Sequence, residues 1–468
     1  MKHFPLCLLL GALALLASCT PSATEPYRSL YHHTPTQNWM NDPNGMFFDE
    51  QTGLWHLYSQ HNPEAPVWGP MHWGHATSKD LIHWDHRGIV LAPDSLGTIF
   101  SGSVVIDRDN TAGFGPNAVV AVYTQSEYIG QNQSLAYSLD GGMTFTKYEG
   151  NPVLMGDIAD FRDPKVTRDG DHWLMTLACQ QEIRFYASPD LKDWTYLSSF
   201  GEGYGAHGGV WECPELIHMG ERWVLLVSIN PGGPFGGSAT QYFIGDWDGR
   251  EFKCDDVRNA PTTNTKWLDY GRDNYSTFTF HNAPDNRIVS LGWMSNWQYA
   301  QQVPTGSFRS QNTIARDLSL YIDDAGDYRI CVQPSPEAWA IRGKTVSRPT
   351  EACIICLTFS GNETGVVTLS NNLGEKVTMT LDVHRQTFSM DRTAAGDDSF
   401  SADFPGVTTT SLFVHRPSYT VYLFLDRCSI EAFDGDGAWA MTNLVFPTTP
   451  YNRIKVVGGE ATIYEINR

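Results

Sequence analysis

Basic residues are scarce in this 468-residue chain: 32 Lys and Arg stand against 52 Asp and Glu, a formal net charge of −20. That imbalance repels phosphate backbones and anionic lipid surfaces, which argues against a nucleic-acid partner. Long apolar runs are missing as well. Only residues 6–17 are membrane-like, and that stretch is too short to span a bilayer. Cysteine is sparse and scattered. Beyond Cys7 and Cys19 the chain has Cys179, Cys213, Cys254, Cys331, Cys353, Cys356 and Cys428, an odd set that does not read as a disulfide framework. Cys353-Ile-Ile-Cys356 has metal-like spacing but no second pair near it, and its apolar flanks read as a buried strand. The histidines form no H-E-x-x-H or comparable ligand set, so neither a metal nor a cofactor is implied. Abundant instead are aromatics (12%, with 15 Trp), 42 Gly and 26 Pro. This is the make-up of a turn-rich β protein, long enough for two to three domains.

The N-terminus reads as an address. Met1-Lys2-His3 is a short basic start, Leu6 to Leu16 an apolar core, and Leu16-Ala17-Ser18-Cys19 a small-residue close. That close resembles a bacterial lipobox, which implies a lipoprotein-type signal peptide over 1–18, lipidation at Cys19 and a tether over 19–29. The expected location is the cell envelope of a bacterium, with membrane contact only through the lipid.

Two sequence elements recur. One is a polar turn closed by an aromatic: Ala76 to Trp84, Tyr137 to Phe145, Tyr186 to Trp194 and Ile244 to Phe252. The other is a polar, often acidic tip leading into a short apolar strand, a turn and a longer aromatic strand. Tips at Asp42, Ser101, Asp163, Glu212 and Tyr275 lie 59, 62, 49 and 63 residues apart. Four strands per unit and five units predict an all-β five-bladed β-propeller over 30–335, each blade lining the axis with its first strand. Pro334 to Arg342 reads as a short helix or a linker, and after a predicted linker at 336–350 the rhythm changes to short alternating strands, which predict a C-terminal β-sandwich over 351–468.

Aligning the repeats sets Asp42, Asp163 and Glu212 at corresponding places on three blades, converging at one end of the axis. Carboxylates crowded in one pocket cannot all ionise easily, so at least one should titrate high. Glycoside hydrolysis uses such an arrangement, with one carboxylate that attacks or guides water and one acid that protonates the leaving oxygen. The tryptophans near the tips offer faces on which sugar rings can lie.

Trp39-Met-Asn-Asp-Pro-Asn-Gly45, Phe100-Ser-Gly-Ser103, Phe161-Arg-Asp-Pro164, Trp211-Glu-Cys-Pro214, Gly292-Trp-Met-Ser-Asn-Trp297 and Asp426-Arg-Cys-Ser-Ile-Glu-Ala-Phe433 together resemble glycoside hydrolase family 32, from about Tyr31 to the C-terminus. The resemblance implies a retaining β-fructofuranosidase. It implies that Asp42 is the nucleophile, Glu212 the general acid and then base, and Asp163, with Arg162 beside it, the group that grips fructose hydroxyls and supports the transition state. Asn41, Gln60, Trp68, Ser101 and Trp293 match positions that hold the terminal fructose. The stretch from Gly236 to Asp246 looks most like exo-acting inulinases and levanases, so the expected substrates are levan or inulin, with sucrose besides. An endo-acting enzyme of the same family, a non-catalytic fructan-binding lipoprotein and another five-bladed glycosidase are the alternatives. Two residues depart from the family pattern: Glu215 stands where Asp is usual, and Cys428 where Ser is.

Overall fold

The computed structural model describes residues 25–127 and 130–467. The expected signal peptide and Cys19 lie outside them. Five sheets of four principal strands follow one another along the chain to Pro334. Their innermost strands are Asn38–Asp49, Thr98–Asp107, Phe161–Asp169, Val210–Met219 and Tyr275–Thr279. These are the five blades of the expected propeller, numbered I to V below. The ring closes through backbone bonds from Phe48 N to His281 O (3.0 Å) and from His281 N to Met46 O (2.8 Å). Strand Phe308–Arg309 also pairs in parallel with the start of blade I.

Burial explains why the two halves of the chain differ in pattern. The inner strand Asn38–Asp49 is covered on both faces by neighbouring blades and is buried almost throughout, whereas the outermost strand of that blade, Trp84–Leu91, is largely exposed. In the sandwich, a strand such as Lys376–Asp382 alternates strictly between core and surface, because one face packs on the opposing sheet.

The polar-turn element has a physical basis too. In blades I to III a serine hydroxyl (Ser78, Ser138, Ser188) pairs with an aspartate two residues on (Asp80, Asp140, Asp190). The aspartate accepts backbone N–H bonds across the turn between the third and fourth strands, as from Ile82 and His83 at 3.0 and 2.8 Å. Asp248 does the same for Arg250 and Glu251 in blade IV.

The stretch expected as a linker is structured. Ser335 caps a short helix, Pro336–Ala340, by accepting from Ala338 N at 3.1 Å, with proline at the first helical position. Strand Arg342–Val346 then pairs with Gly459–Ile466 as the edge of the six-stranded sandwich sheet. At the other end, Tyr27 packs edge-on against Phe446 and Arg28 O accepts from Arg427 Nη1 (3.3 Å), so residues assigned to the tether already lie against the body.

Propeller and sandwich share one apolar cluster, in which Ile217, Tyr242, Ile314 and Ile330 meet Ile354, Phe424 and Phe433. Through it runs a buried charge network. Arg316 bonds Asp269 (2.8 Å) and Glu431, and His32 bridges Asp426 (2.8 Å) and Glu431 (2.7 Å). Burial alone would depress the His32 pKa, but its two carboxylate partners raise it to about 9, so it stays charged at neutral pH. Arg316→Met leaves Asp269 buried without a cation and Glu431 with His32 alone. The expected loss is about 3–5 kcal/mol of unfolding free energy, to be read from urea denaturation.

Candidate active site

Each inner strand carries an irregularity at its tip, where two residues oppose a single residue of the second strand. The doubled pairs are Asn41-Asp42, Phe100-Ser101, Asp163-Pro164, Cys213-Pro214 and Ser276-Thr277. The three acids therefore do not occupy corresponding positions. Asp42 is the second doubled residue, Asp163 the first, and Glu212 the residue just before the pair. They converge because the layers stack at one mouth, and residues of equal register on neighbouring blades touch. Arg162, Glu212 and Tyr275 form one such layer; Asp163, Cys213 and Ser276 form the next; Asp42 and Ser101 form a third. Asp163, Cys213 and Ser276 hold φ of +63°, +50° and +50°, the left-handed region that non-glycine residues rarely adopt and that aims these side chains inward.

Asp42 is buried. Its Oδ2 accepts from Ser101 Oγ at 2.7 Å and faces the Cys213 thiol at 3.8 Å. Its Oδ1 has no protein partner. Burial, with the Glu212 charge nearby, pushes its pKa up to about 6, while the hydrogen bond from Ser101 acts in the opposite direction. Asp163 Oδ2 accepts from Cys213 N at 3.0 Å, and Arg162 Nε lies 4.0 Å away. Burial raises its pKa, opposed by the Arg162 guanidinium and helped by the Glu212 and Asp42 charges. Glu212 is the most accessible of the three. Its Oε1 accepts from Arg162 Nη2 at 2.8 Å and its Oε2 from the Tyr275 hydroxyl. Cys213 thus bridges the two deep carboxylates as a thiol whose pKa burial holds well above the ordinary value.

The residues expected to hold fructose are distributed around these acids. Asn41 accepts from Trp39 Nε1 (2.7 Å), which orients its amide beside Asp42. Ser101 sits on Asp42 itself. Gln60, opposite the doubled pair of blade I, and Trp293, packed against Trp39 and Trp297, are buried with Gln60 Nε2 and Trp293 Nε1 unpartnered. With Asp42 Oδ1, these make two donors and an acceptor lacking protein partners, the complement a polyol would satisfy. Trp68 is different: it is 44% exposed and lies edge-on to Phe100, the residue before Ser101. Arg162 points into the site but is held by Glu212 and by Asp160 (2.5 Å). Glu215, the departure from the family pattern, is bonded to Lys165 (2.8 Å) and to Thr279, on the inner strands of blades III and V, and serves as a strut.

Sequence reasoning missed Tyr275 as a functional group, although it marked the tip. The signal was register: Tyr275 takes in blade V the place that Glu212 takes in blade IV. Ser101→Ala provides a test of the Asp42 environment. Losing that donor destabilises the carboxylate, so the acidic limb of the kcat/KM profile should move up by roughly half to one pH unit.

Two deep carboxylates and a more accessible third, meeting at the mouth of a propeller beside an exposed tryptophan, define the class: a glycoside hydrolase. Comparison with known proteins makes this specific. Glycosyl hydrolases family 32 N-terminal domain matches residues 32–334, and the family 32 C-terminal description matches 342–467. The chain belongs to that family. A levanase of Bacillus subtilis (strain 168) is 41% identical over 479 residues, covering 94% of this chain and 69% of that protein. The solved structure of an exo-inulinase from Aspergillus awamori matches with a TM-score of 0.87 at 33% identity, covering 94% of this chain and 98% of that one. A fructofuranosidase variant from Schwanniomyces occidentalis, complexed with fructosylnystose, matches at 0.85 and 33%, covering 95% and 98%.

Proposed function

We propose that this protein is a β-fructosidase that releases terminal fructose from β-fructans, and from sucrose, by double displacement. The observation that carries this reading is the division of labour among the acids. Asp42 is deep, with one oxygen unpartnered; Glu212 is more accessible and gripped by Arg162 and Tyr275. Asp42 attacks the anomeric carbon and forms a fructosyl ester while Glu212 gives its proton to the departing oxygen. Glu212 then takes a proton from water, which opens the ester. Asp163 and Arg162 support the hydroxyls and the oxocarbenium-like charge. The burial of Gln60 and Trp293 supports a single terminal fructosyl unit at the bottom, and the levanase, exo-inulinase and invertase relatives support the substrate class.

Size-resolved chromatography of digests of inulin, levan and sucrose tests the substrate. Free fructose should be the first product, and short oligosaccharides preceding it would establish endo action instead. Trapping with methanol tests the stereochemistry: methyl β-fructofuranoside is expected from two displacements, and the α anomer would overturn them. We also propose that Cys19 carries a lipid that holds the protein to the cell envelope. Metabolic labelling with a fatty acid should mark the wild type and not Cys19→Ala.

A further inference from the structure

The sandwich reaches the propeller segment that leads to Tyr275, the donor to Glu212. Its strand Ala440–Leu444 lies along residues 269–273 of the propeller: Tyr270 N donates to Ala440 O (2.8 Å), Asp273 N to Thr442 O (3.1 Å) and Leu444 N to Asp273 Oδ2 (2.8 Å). The approach is so close at Gly271 that an added Cβ would collide with the Thr442 backbone. Two residues after Asp273 comes Tyr275, whose hydroxyl donates to Glu212.

Asp273 is fully buried, and its charge is answered from the sandwich. Arg392, on strand Thr387–Ala394, donates from Nη1 to Asp273 Oδ2 at 2.5 Å and to Leu444 O at 3.0 Å, and from Nη2 to the Tyr299 hydroxyl at 2.8 Å. Its Nε donates to Phe404 O, and its guanidinium lies over the Phe404 ring at 3.9 Å. Tyr299 in turn donates to Asp273 Oδ1 at 2.6 Å. Both oxygens of Asp273 therefore accept hydrogen bonds, and the Arg392 guanidinium is held by four acceptors and the Phe404 ring face. Interface stability alone would not require a buried charge pair, since apolar packing stabilises as well or better. A charge held this rigidly, two residues from the acid's own donor, is suited to setting geometry.

We propose that Arg392 is a positioning residue for Glu212, acting through the Asp273 carboxylate and the short segment that ends at Tyr275. The sandwich is then part of the proton-transfer machinery. This rests on the reading of Glu212 as the acid.

The test compares two substrates on the purified full-length protein. Sucrose needs its leaving oxygen protonated; β-fructofuranosyl fluoride, with a far better leaving group, depends much less on an acid. Arg392→Met should lower kcat on sucrose about 10- to 30-fold with KM within about twofold, yet lower kcat/KM for the fluoride less than about threefold. Loosening of the fold without a positioning role would lower both alike, and an unchanged ratio of the two substrates in folded Arg392→Met would overturn the proposal. If that variant does not accumulate, Tyr299→Phe, which removes one donor to Asp273, is judged by the same ratio, with about a threefold change expected. Glu212→Gln separates the two levels. If it lowers kcat/KM for both substrates equally, the acid assignment fails, since kcat/KM reads ester formation alone. If it splits them while Arg392→Met and Tyr299→Phe do not, only the positioning role fails.

Discussion

Replacing Asp42 by Asn should abolish turnover and stabilise the protein at neutral pH. The loss follows from the proposed chemistry: an amide cannot form the fructosyl ester, and removing a nucleophile costs about 10⁴-fold in kcat or more. The gain in stability follows from linkage. The Asp42 pKa is raised from 3.8 to about 6 in the folded protein, mainly by burial, so folding favours the protonated form. Between these pH values the native state binds more protons than the unfolded chain, and stability falls as pH rises through that window. The penalty is absent below pH 3.8 and complete above about pH 6, where it amounts to at most about 3 kcal/mol. An asparagine side chain keeps the shape and an acceptor for Ser101 without the charge. Thermal scans should give equal Tm for Asp42→Asn and wild type near pH 4, and a Tm higher by roughly 2–3 °C for the variant at pH 7–8. A Tm difference that does not change with pH would mean that Asp42 is not under electrostatic strain. Sites built for chemistry commonly carry such a stability cost.

The propeller was legible because five tips recur and four of the blades add a polar turn closed by an aromatic, and the structure shows what enforces them: the aspartate-bonded turn and the doubled tip of the inner strand. The convergence of the three acids was legible for the same reason. Their exact depth was not. A doubled residue shifts the side-chain phase of a strand, so Asp42, Asp163 and Glu212 align in sequence and yet fall in three different layers. That difference of a single residue decides that Glu212 meets Arg162 and Tyr275 while Asp163 meets Cys213. Trp68 illustrates another limit: the resemblance matches it to a position that holds the terminal fructose, but its exposure and its edge-on contact with Phe100 could not be read from sequence. The contact between Gly271 and Thr442 was beyond reach of the sequence altogether, since nothing in a local pattern announces which distant strand will run beside a loop. The linker illustrates the converse. Its proline and serine fit a short helix as well as a plain break; they cap the helix, and the strand after it is recruited by the last strand of the chain.

Glu212→Ala supplies the other large expected effect, and it separates the two half-reactions. Without an acid, formation of the fructosyl ester from sucrose or a fructan should slow by about 10²–10⁴-fold. With the fluoride as substrate, ester formation needs little help, so the ester should accumulate, because water attacks it without a base. A burst of fluoride equal to the enzyme concentration, followed by a slow steady rate, is therefore expected. An anionic nucleophile such as azide needs no base to deprotonate it. The site left by the carboxylate, still flanked by the Arg162 guanidinium, would admit azide with less charge repulsion than the intact site. Added azide should then raise the steady rate and give β-fructofuranosyl azide, with the configuration of the starting sugar kept. Failure to see either the burst or the azide product in a folded Glu212→Ala protein would remove Glu212 from the acid–base role. An α-configured azide would instead point to one direct displacement and leave Asp42 without its covalent part.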